Sequence, residues 1–579
     1  MKRKKLAALL LTVTMVVGSI VGCGSNGGDS QGSGSNGGST TTESQTEGNG
    51  GSGESGESGE SGDAGETASF IELDPNVEGD ISIMVWSGDG EYYEDIGHQT
   101  LEAEDITAQN VASVYAMAKK FNEKYPNVKI NVYAKSGDPN GNDTSWQQEM
   151  ENFKAQHGKY PDIWASTNLV GDVEKGLAAD LSVFADDPVY QSFNTSIMEM
   201  MNYYGMQAGL PQFIQPWGVY VNKQLAEQNN IDVPDVNWTI DDYTLFISEG
   251  NKTTFWGAMD IPLSWINTGT KDINYSLSNH SGSGDYVNLD SDAVKDMLSM
   301  VPAWADNTIW CQNDVGGVPE EVMNDGSWWS YQFFVKGYCL VNDGDPWMMG
   351  DAANPEVTDN TVTFEFDIYP RPATDYVGNT VGVVLDPMAI HNYAMDDGNP
   401  ELSESEEASL KLAYTFGTYW VASTEAAQAR ADQQWNSGGA LKTAANDSLP
   451  LVTGAEFDKQ MEIWYSVPTH AIYADESKMP GWHKCIELWE NGDTWDVSDK
   501  AYPLKIQEDG VDKACMYEWT YYYQDDVMTA KRASDGWLDE IKSKLPEWNT
   551  LANERFAEAD KSLREALTDF YGYTEADFN

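Results

Sequence analysis

Apolar and polar positions alternate with a readable period once the chain passes its first seventy residues. Ile81-Ser82-Ile83-Met84-Val85-Trp86 is an apolar run that stops at Ser87-Gly88-Asp89-Gly90, which predicts a buried strand ending in a turn. From Thr107 to Lys124, Val111, Val114, Tyr115, Ala118 and Phe121 recur at helical spacing. Thr107 and Asn110 are the two candidate N-caps of that helix, and Pro126 lies just past its end. Lys129 to Tyr133 reads as a second strand. A helix follows, and Pro161-Asp162-Ile163-Trp164 marks a third strand. This alternation predicts an α/β fold with parallel pairing. Ligands of such sheets sit at the carboxyl ends of strands. Those ends carry Trp86 to Asp89, Ser136 to Trp146, and Ser166-Thr167-Asn168.

The N-terminal pattern is different. Met1-Lys2-Arg3-Lys4-Lys5 precedes an apolar run, Leu6 to Val21, and then Gly22-Cys23. A basic start, a short apolar stretch and a small residue before the cut describe an export signal. The run is shorter than the ~20 residues a spanning helix needs. Ile20-Val21-Gly22-Cys23 resembles the lipobox of bacterial lipoproteins, which implies residues 1–22 as signal peptide and lipidation of Cys23. Two or more acyl chains hold a protein stably on a bilayer. Gly24 to about Thr67 is almost entirely Gly, Ser, Asn, Gln, Thr and Glu, too polar to bury a core. Residues 23–67 are therefore expected to be a tether, spanning on the order of 35–40 Å r.m.s.. The expected location is the extracytoplasmic face of a bacterial cell membrane, touched only through the lipid.

Composition narrows the ligand. The formal net charge is -59, which repels nucleic acid and anionic lipid. Arginine is scarce: beyond Arg3 only Arg371, Arg430, Arg532, Arg555 and Arg564 occur. Trp and Tyr are abundant, at 21 and 29, and supply flat faces with hydrogen-bonding edges of the kind that sugars need. Cys311, Cys339, Cys485 and Cys515 form no CxxC and no spacing dictates a pairing. The chain has no H-E-x-x-H, no Gly-x-Ser-x-Gly and no P-loop. Asp138, Asn140, Asn142 and Glu149 fall at positions 1, 3, 5 and 12 of a calcium-loop pattern, but Asp143 replaces the turn glycine. A Ca²⁺ site there is the weaker reading, and a polar loop facing a cleft the stronger. No other cofactor is implied.

Five further segments carry a resemblance. They are Phe121 to Ile130; Pro161-Asp162-Ile163 with Gly176 to Leu181; Leu210-Pro211 through Asn222-Lys223; Trp238-Thr239-Ile240-Asp241-Asp242; and Phe334-Val335-Lys336-Gly337 reaching Gly344-Asp345-Pro346-Trp347. In this order they resemble family 1 extracellular solute-binding proteins, the group that includes maltose-binding protein. The resemblance runs from Ile81 to about Tyr465. It implies sugar contacts from Trp86 and Gly88-Asp89, from Ser166, Thr167 and Asn168, from Gln215 in a crossover strand, and from Trp347 as a stacking platform. Trp265 and the Trp464-Tyr465 pair are implied more distantly. The blander roles are a helix cap for Asp89, core packing for Trp347 and Trp464, and satisfaction of hinge backbone for Gln215.

The family's fold is two α/β lobes of the periplasmic-binding-protein type II class, with hinge crossovers near 211–217 and 368–374 and a C-terminal helical region. Residues 68–579 are expected to form this domain. Lobe 1 takes about 78–213 and 373–425, and lobe 2 about 214–370 and 426–579. The implied activity is capture of a neutral oligosaccharide by hinge closure, without turnover, and delivery to the permease subunits of an ABC importer. A monomer is expected. Two rivals remain: a surface glycan-active enzyme, and a binder of uronates or of a non-sugar solute.

Overall fold

The structure is a computed structural model. It describes residues 71–86, 90–135, 146–270, 285–309, 332–344, 362–396, 398–399, 401–498, 500–508, 511–514 and 535–578. Two sheets organise it. In the first, β1 (Gly79–Trp86) pairs in parallel with β3 (Val128–Lys135) and with β4 (Ile163–Ala165). The short β2 (Tyr92–Tyr93) edges β3 in antiparallel fashion. β1 and β4 are largely buried, as strands covered by helices must be, whereas β3 alternates an apolar face of Val128, Ile130, Val132 and Ala134 with a polar one of Lys129, Asn131, Tyr133 and Lys135. Helix α1 (Gln109–Lys124) covers one face through Val111, Val114, Tyr115, Ala118 and Phe121, all buried. Its start differs from expectation: Ala108 occupies the N-cap position with no side-chain cap. The chain enters through buried Ile106 and Ala108, which places Thr107 outward and Asn110 inside the helix. The next helices are α2 (Trp146–His157) and α3 (Leu169–Glu174). A two-strand hairpin, β5 (Asn202–Tyr203) and β6 (Met206–Gln207), precedes the crossover.

Two long strands leave this sheet. β7 (Leu210–Trp217) and β12 (Val381–Ile390) pair antiparallel, and β12 also pairs with β4. β4 ends where Ala165 meets Met388, but the β7–β12 ladder runs on to Trp217 and Gly382. Six residues of ladder extend about 20 Å at the usual strand rise. β7 then feeds β8 (Val219–Asn222), the centre of the second sheet. There β8 is flanked by β10 (Cys339–Asp343) and β11 (Phe366–Tyr369), with β9 (Trp256–Ala258) parallel to β10 at the edge. β15 (Thr494–Asp496) joins the ribbon beside Val381–Val383. The molecule is thus a two-lobed α/β fold bridged by a two-strand ribbon.

The larger core fills lobe 1 and continues under one face of the second sheet through Tyr220, Trp256, Cys339 and Phe366, and a second core lies within lobe 2. Lobe 2 buries Trp238, Trp265, Trp304 and Tyr243 among α4 (Ile240–Ser248) and α5 (Asp292–Ala305). Thr239 opens α4 with a capping box to Asp242. Residues 373–425 are expected in lobe 1 and 426–579 in lobe 2, and it is this second stretch that does not pack on lobe 2 alone. Helices α6 (Glu404–Ala422) and α7 (Thr424–Asp432), the hairpin of β13 (Gln434–Ser437) and β14 (Ala440–Thr443), α8 (Ala455–Ser466) and α9 (Pro480–Asn491) supply residues to the lobe 1 core. Tyr473 and Trp482 then carry that core on to Phe366 and Ile368 of lobe 2. The final helix, α10 (Trp537–Tyr571), buries Ile541, Leu545, Trp548 and Phe556 with lobe 2, and Leu563 and Leu567 with lobe 1.

Candidate functional site

Strand direction fixes where the lobes face one another. β7 runs parallel to β4 and leads into lobe 2, so the carboxyl ends of β1, β3 and β4 point that way. Val219, the first residue of β8, lies beside Asp343 and Tyr369, the carboxyl ends of β10 and β11. Both sheets therefore turn their strand ends toward the same inter-lobe zone, with the β7–β12 ribbon joining them.

On the lobe 1 side, Trp86 ends β1 and packs against Trp146, the first residue of α2, with ring centroids 4.3 Å apart and a tilt of 38°. Lys135 ends β3, and its Nζ lies 5.5 Å from the Trp86 ring centroid, a cation–π contact. Trp146 is buried but its Nε1 finds no acceptor among the described residues. Trp86 keeps part of its surface open, and Asn110 donates to its carbonyl. Neither Lys135 nor Trp146 was singled out from sequence as a ligand contact.

On the ribbon, residues that pair across the ladder share a face. Gln215 and Trp217 of β7, Gly382 and Val384 of β12, and Trp495 and Val497 form one such set. Val384, Trp495, Val497 and Trp217 make a small apolar cluster separate from both lobe cores. Trp217 is wedged by two glycines: a Cβ on Gly344 would lie 2.2 Å from its Cζ2, and one on Gly382 would lie 3.0 Å from its Cβ. Gly344 has φ +101°, a conformation side chains rarely adopt. Trp217 Nε1 donates to Asp343 Oδ1 at 3.3 Å, which ties the ribbon to lobe 2. Arg371 stands just beyond β11, buried, donating from Nη2 to the Gly378 carbonyl at 3.4 Å. Burial pushes its guanidinium down to about 9, against a partial offset from the Asp343 carboxylate.

The expected contact residues divide. Asp89 and Trp347 lie outside the described residues, as do Gly88, Asp138, Asn140, Asn142 and Cys23. Gln215 is on the ribbon as expected, but it is buried and its Nε2 donates to Asp447. Ser166 donates from Oγ to Asp172 Oδ2 at 2.7 Å, and Asn168 caps α3 by accepting from Gly171 N at 3.2 Å. Both are buried and serve the turn after β4. Trp265 is 1% exposed inside the lobe 2 core, edge-on to Tyr243 and Trp304. It offers no ring face to a sugar. Trp464 is 6% exposed, stacked on His470 at 4.0 Å and on Trp482 at 5.5 Å. Its ring is core, not platform. The sequence did carry that signal: Phe457, Met461 and Trp464 recur at i, i+4 and i+7 and all face inward. Trp217 was legible only as part of a crossover strand. Glu149 accepts from the Tyr133 hydroxyl at 2.7 Å, and among the described residues no cluster of metal-binding side chains occurs. Cys339 and Cys485 are buried free thiols, while Cys311 and Cys515 lie outside the described residues. No described helix is long and apolar enough to cross a membrane.

No family model matches the chain, and no curated protein sequence matches it. Solved structures do. An ABC substrate-binding protein from Listeria monocytogenes, in complex with cycloalternan, aligns over 83% of this chain and 100% of its own at 13% identity, with a TM-score of 0.50. A sugar transporter from Rhizobium etli, in an open conformation, aligns over 81% of this chain and 99% of its own at 15% identity, with a TM-score of 0.52. The two-lobed fold of this chain is the fold of ABC substrate-binding proteins.

Proposed function

We propose that this protein is a lipid-anchored solute-binding protein that closes on a neutral oligosaccharide and hands it unchanged to an ABC importer. The observation that carries the reading is the pairing of Trp217 and Asp343 at the hinge ribbon, together with the Trp86–Trp146 pair at the carboxyl end of β1. An indole face beside a carboxylate suits a pyranose, whose C–H groups stack while its hydroxyls donate. Ligand that touches both lobes favours the closed state by its differential affinity. The two solved structures of the same fold, one in complex with cycloalternan and one a sugar transporter, support this substrate class. Cys23 and the tether of residues 23–67 support attachment at the outer membrane face. A glycan panel tests the reading: at least one neutral oligosaccharide raises the melting temperature and binds saturably, with no reducing ends released. Absence of any such ligand, or release that stops on removing a carboxylate, sinks it.

A second reading has one observation in its favour. Lys135 and Arg371 place two cations near the same zone, and Arg371 Nε and Nη1 have no acceptor among the described residues. They would suit an acidic oligosaccharide. Uronate-containing members of the panel decide between the two.

A further inference from the structure

A second polar crevice has neither Gln215 nor Trp217 in its lining. It is bounded by α7, by the segment 445–451 and by α8, and Arg430, Gln212, Ser448, Gln460 and Trp464 are among its lining residues. Two of its groups are buried without partners among the described residues, and a third, Arg430, brings a cation to the same lining. Trp464 is buried, and its Nε1 donates to nothing. Gln212 Oε1 is buried and accepts from nothing. The Arg430 guanidinium is shifted by burial alone, down to about 10, with no charge or hydrogen bond opposing the shift. Gln212 is where it is because of a bulge. The β7–β12 register slips between Asp386 and Pro387, so Phe213 and Pro211 are paired while Gln212 is the extra residue. The segment opposite is pinned to β7 as well: Ile214 N donates to Ser448 Oγ at 3.0 Å, and Leu449 N donates to the Ile214 carbonyl at 2.8 Å.

The orphaned groups define a complement. Two strong donors, a guanidinium and an indole N–H, want anionic oxygen. The amide oxygen of Gln212 wants a donor. A desolvated cation without a counter-ion and buried polar atoms without partners are costly, and a ligand that satisfies all three recovers that cost. The crevice is partly open to solvent and takes about three water molecules, which suits a ligand of a few heavy atoms. We infer that this crevice is a binding site for a small 2-hydroxy carboxylate, whose carboxylate meets Arg430 and Trp464 and whose hydroxyl donates to Gln212. None of Trp86, Lys135, Trp146, Trp217 and Asp343 lines the crevice, so it does not depend on the sugar reading.

Lactate and glycolate are the probes, titrated calorimetrically into the full chain with propionate and glycerol as controls. Lactate is expected to bind saturably and to raise the melting temperature. Propionate, lacking the hydroxyl, is expected to bind about tenfold more weakly, and glycerol not at all. Arg430→Gln is expected to abolish lactate binding. Gln212→Glu, which supplies an internal carboxylate to Arg430, is expected to do the same, and serves where Arg430→Gln fails to fold. Saturating oligosaccharide is expected to leave lactate binding in place. Three ordered waters only, meaning no lactate or glycolate binding at millimolar concentration, overturns the inference. So does lactate binding that Gln212→Glu leaves unchanged, or that oligosaccharide displaces.

Discussion

At the residue scale, two side chains carry measurable consequences. Trp217 owes its position to the closeness of Gly344 and Gly382 and to its bond with Asp343. Trp217→Ala removes a ring face worth about 1.5 kcal/mol or more of stacking, so oligosaccharide affinity falls by about tenfold or more in calorimetry. An unchanged affinity takes Trp217 out of the site. Gly344→Ala reaches the same ring from the other side: the new Cβ collides with Cζ2, and the positive φ adds strain, so affinity falls although no ligand contact is deleted. His470 contributes to the pH dependence of stability. Burial holds its pKa down to about 4, and its ring lies stacked on Trp464. An unfolded histidine titrates near 6.5, so between 6.5 and 4 the unfolded chain binds the extra proton. Stability is complete above about 6.5 and falls with pH until about 4, by up to about 3 kcal/mol from this residue. His470→Phe keeps a stacking ring and removes the titration. Denaturant melts of the variant at pH 7 and pH 4.5 should therefore differ less than those of the wild type, and equal slopes would exclude His470 as the cause.

At the scale of elements, one helix is capped from another lobe. α9 begins after Met479, which contributes no side-chain cap. Asp367 of β11 does the work instead, accepting from Gly481 N at 3.0 Å through Oδ2 and from Trp482 N at 3.1 Å through Oδ1. Desolvation raises the Asp367 pKa against the pull of these amides. Asp367→Ala leaves two amides unpaired at a buried helix start and should cost about 2 kcal/mol in denaturant melts. A loss within experimental error would mean that water replaces the carboxylate. This cap also shows what the sequence could reveal. The strands β1, β3 and β4 and the body of α1 were readable because their patterns are local. Asp367 and Trp217 were not, because each depends on a partner more than a hundred residues away. Trp265 and Trp464 were assigned to ligand on resemblance, whereas apolar neighbours such as Leu263 and Ile266, or Phe457 and Met461, pointed to burial. The glycine at 344 was read as part of a motif, but its effect on Trp217 needed the fold.

At the scale of the molecule, α10 constrains the hinge. Its first half is seated in the lobe 2 core, and Asn553 accepts from Tyr286 N at 2.7 Å. Its last turns reach lobe 1, where the Tyr571 hydroxyl donates to the Ala178 carbonyl at 2.7 Å. Between these ends Asp560 gathers three donors: Tyr204 of the lobe 1 hairpin, Tyr286 beside lobe 2 at 2.8 Å, and Arg564 of its own helix at 2.9 Å. Asp560 is buried, so this junction is stronger than a surface pair. A helix fixed to both lobes resists any opening that separates Tyr204 from Tyr286, and closure must proceed by sliding or twisting along it. Asp560→Asn keeps the shape but loses the charge that binds both hydroxyls and the guanidinium. The expected result is a wider ligand-free distribution of inter-lobe distances, read by double electron–electron resonance between labels on the two lobes. The saturated distribution should be unchanged, and oligosaccharide affinity should drop, because more binding energy goes into closing. Identical ligand-free distributions would show that α10 rides on one lobe only and leaves the hinge to the β7–β12 ribbon.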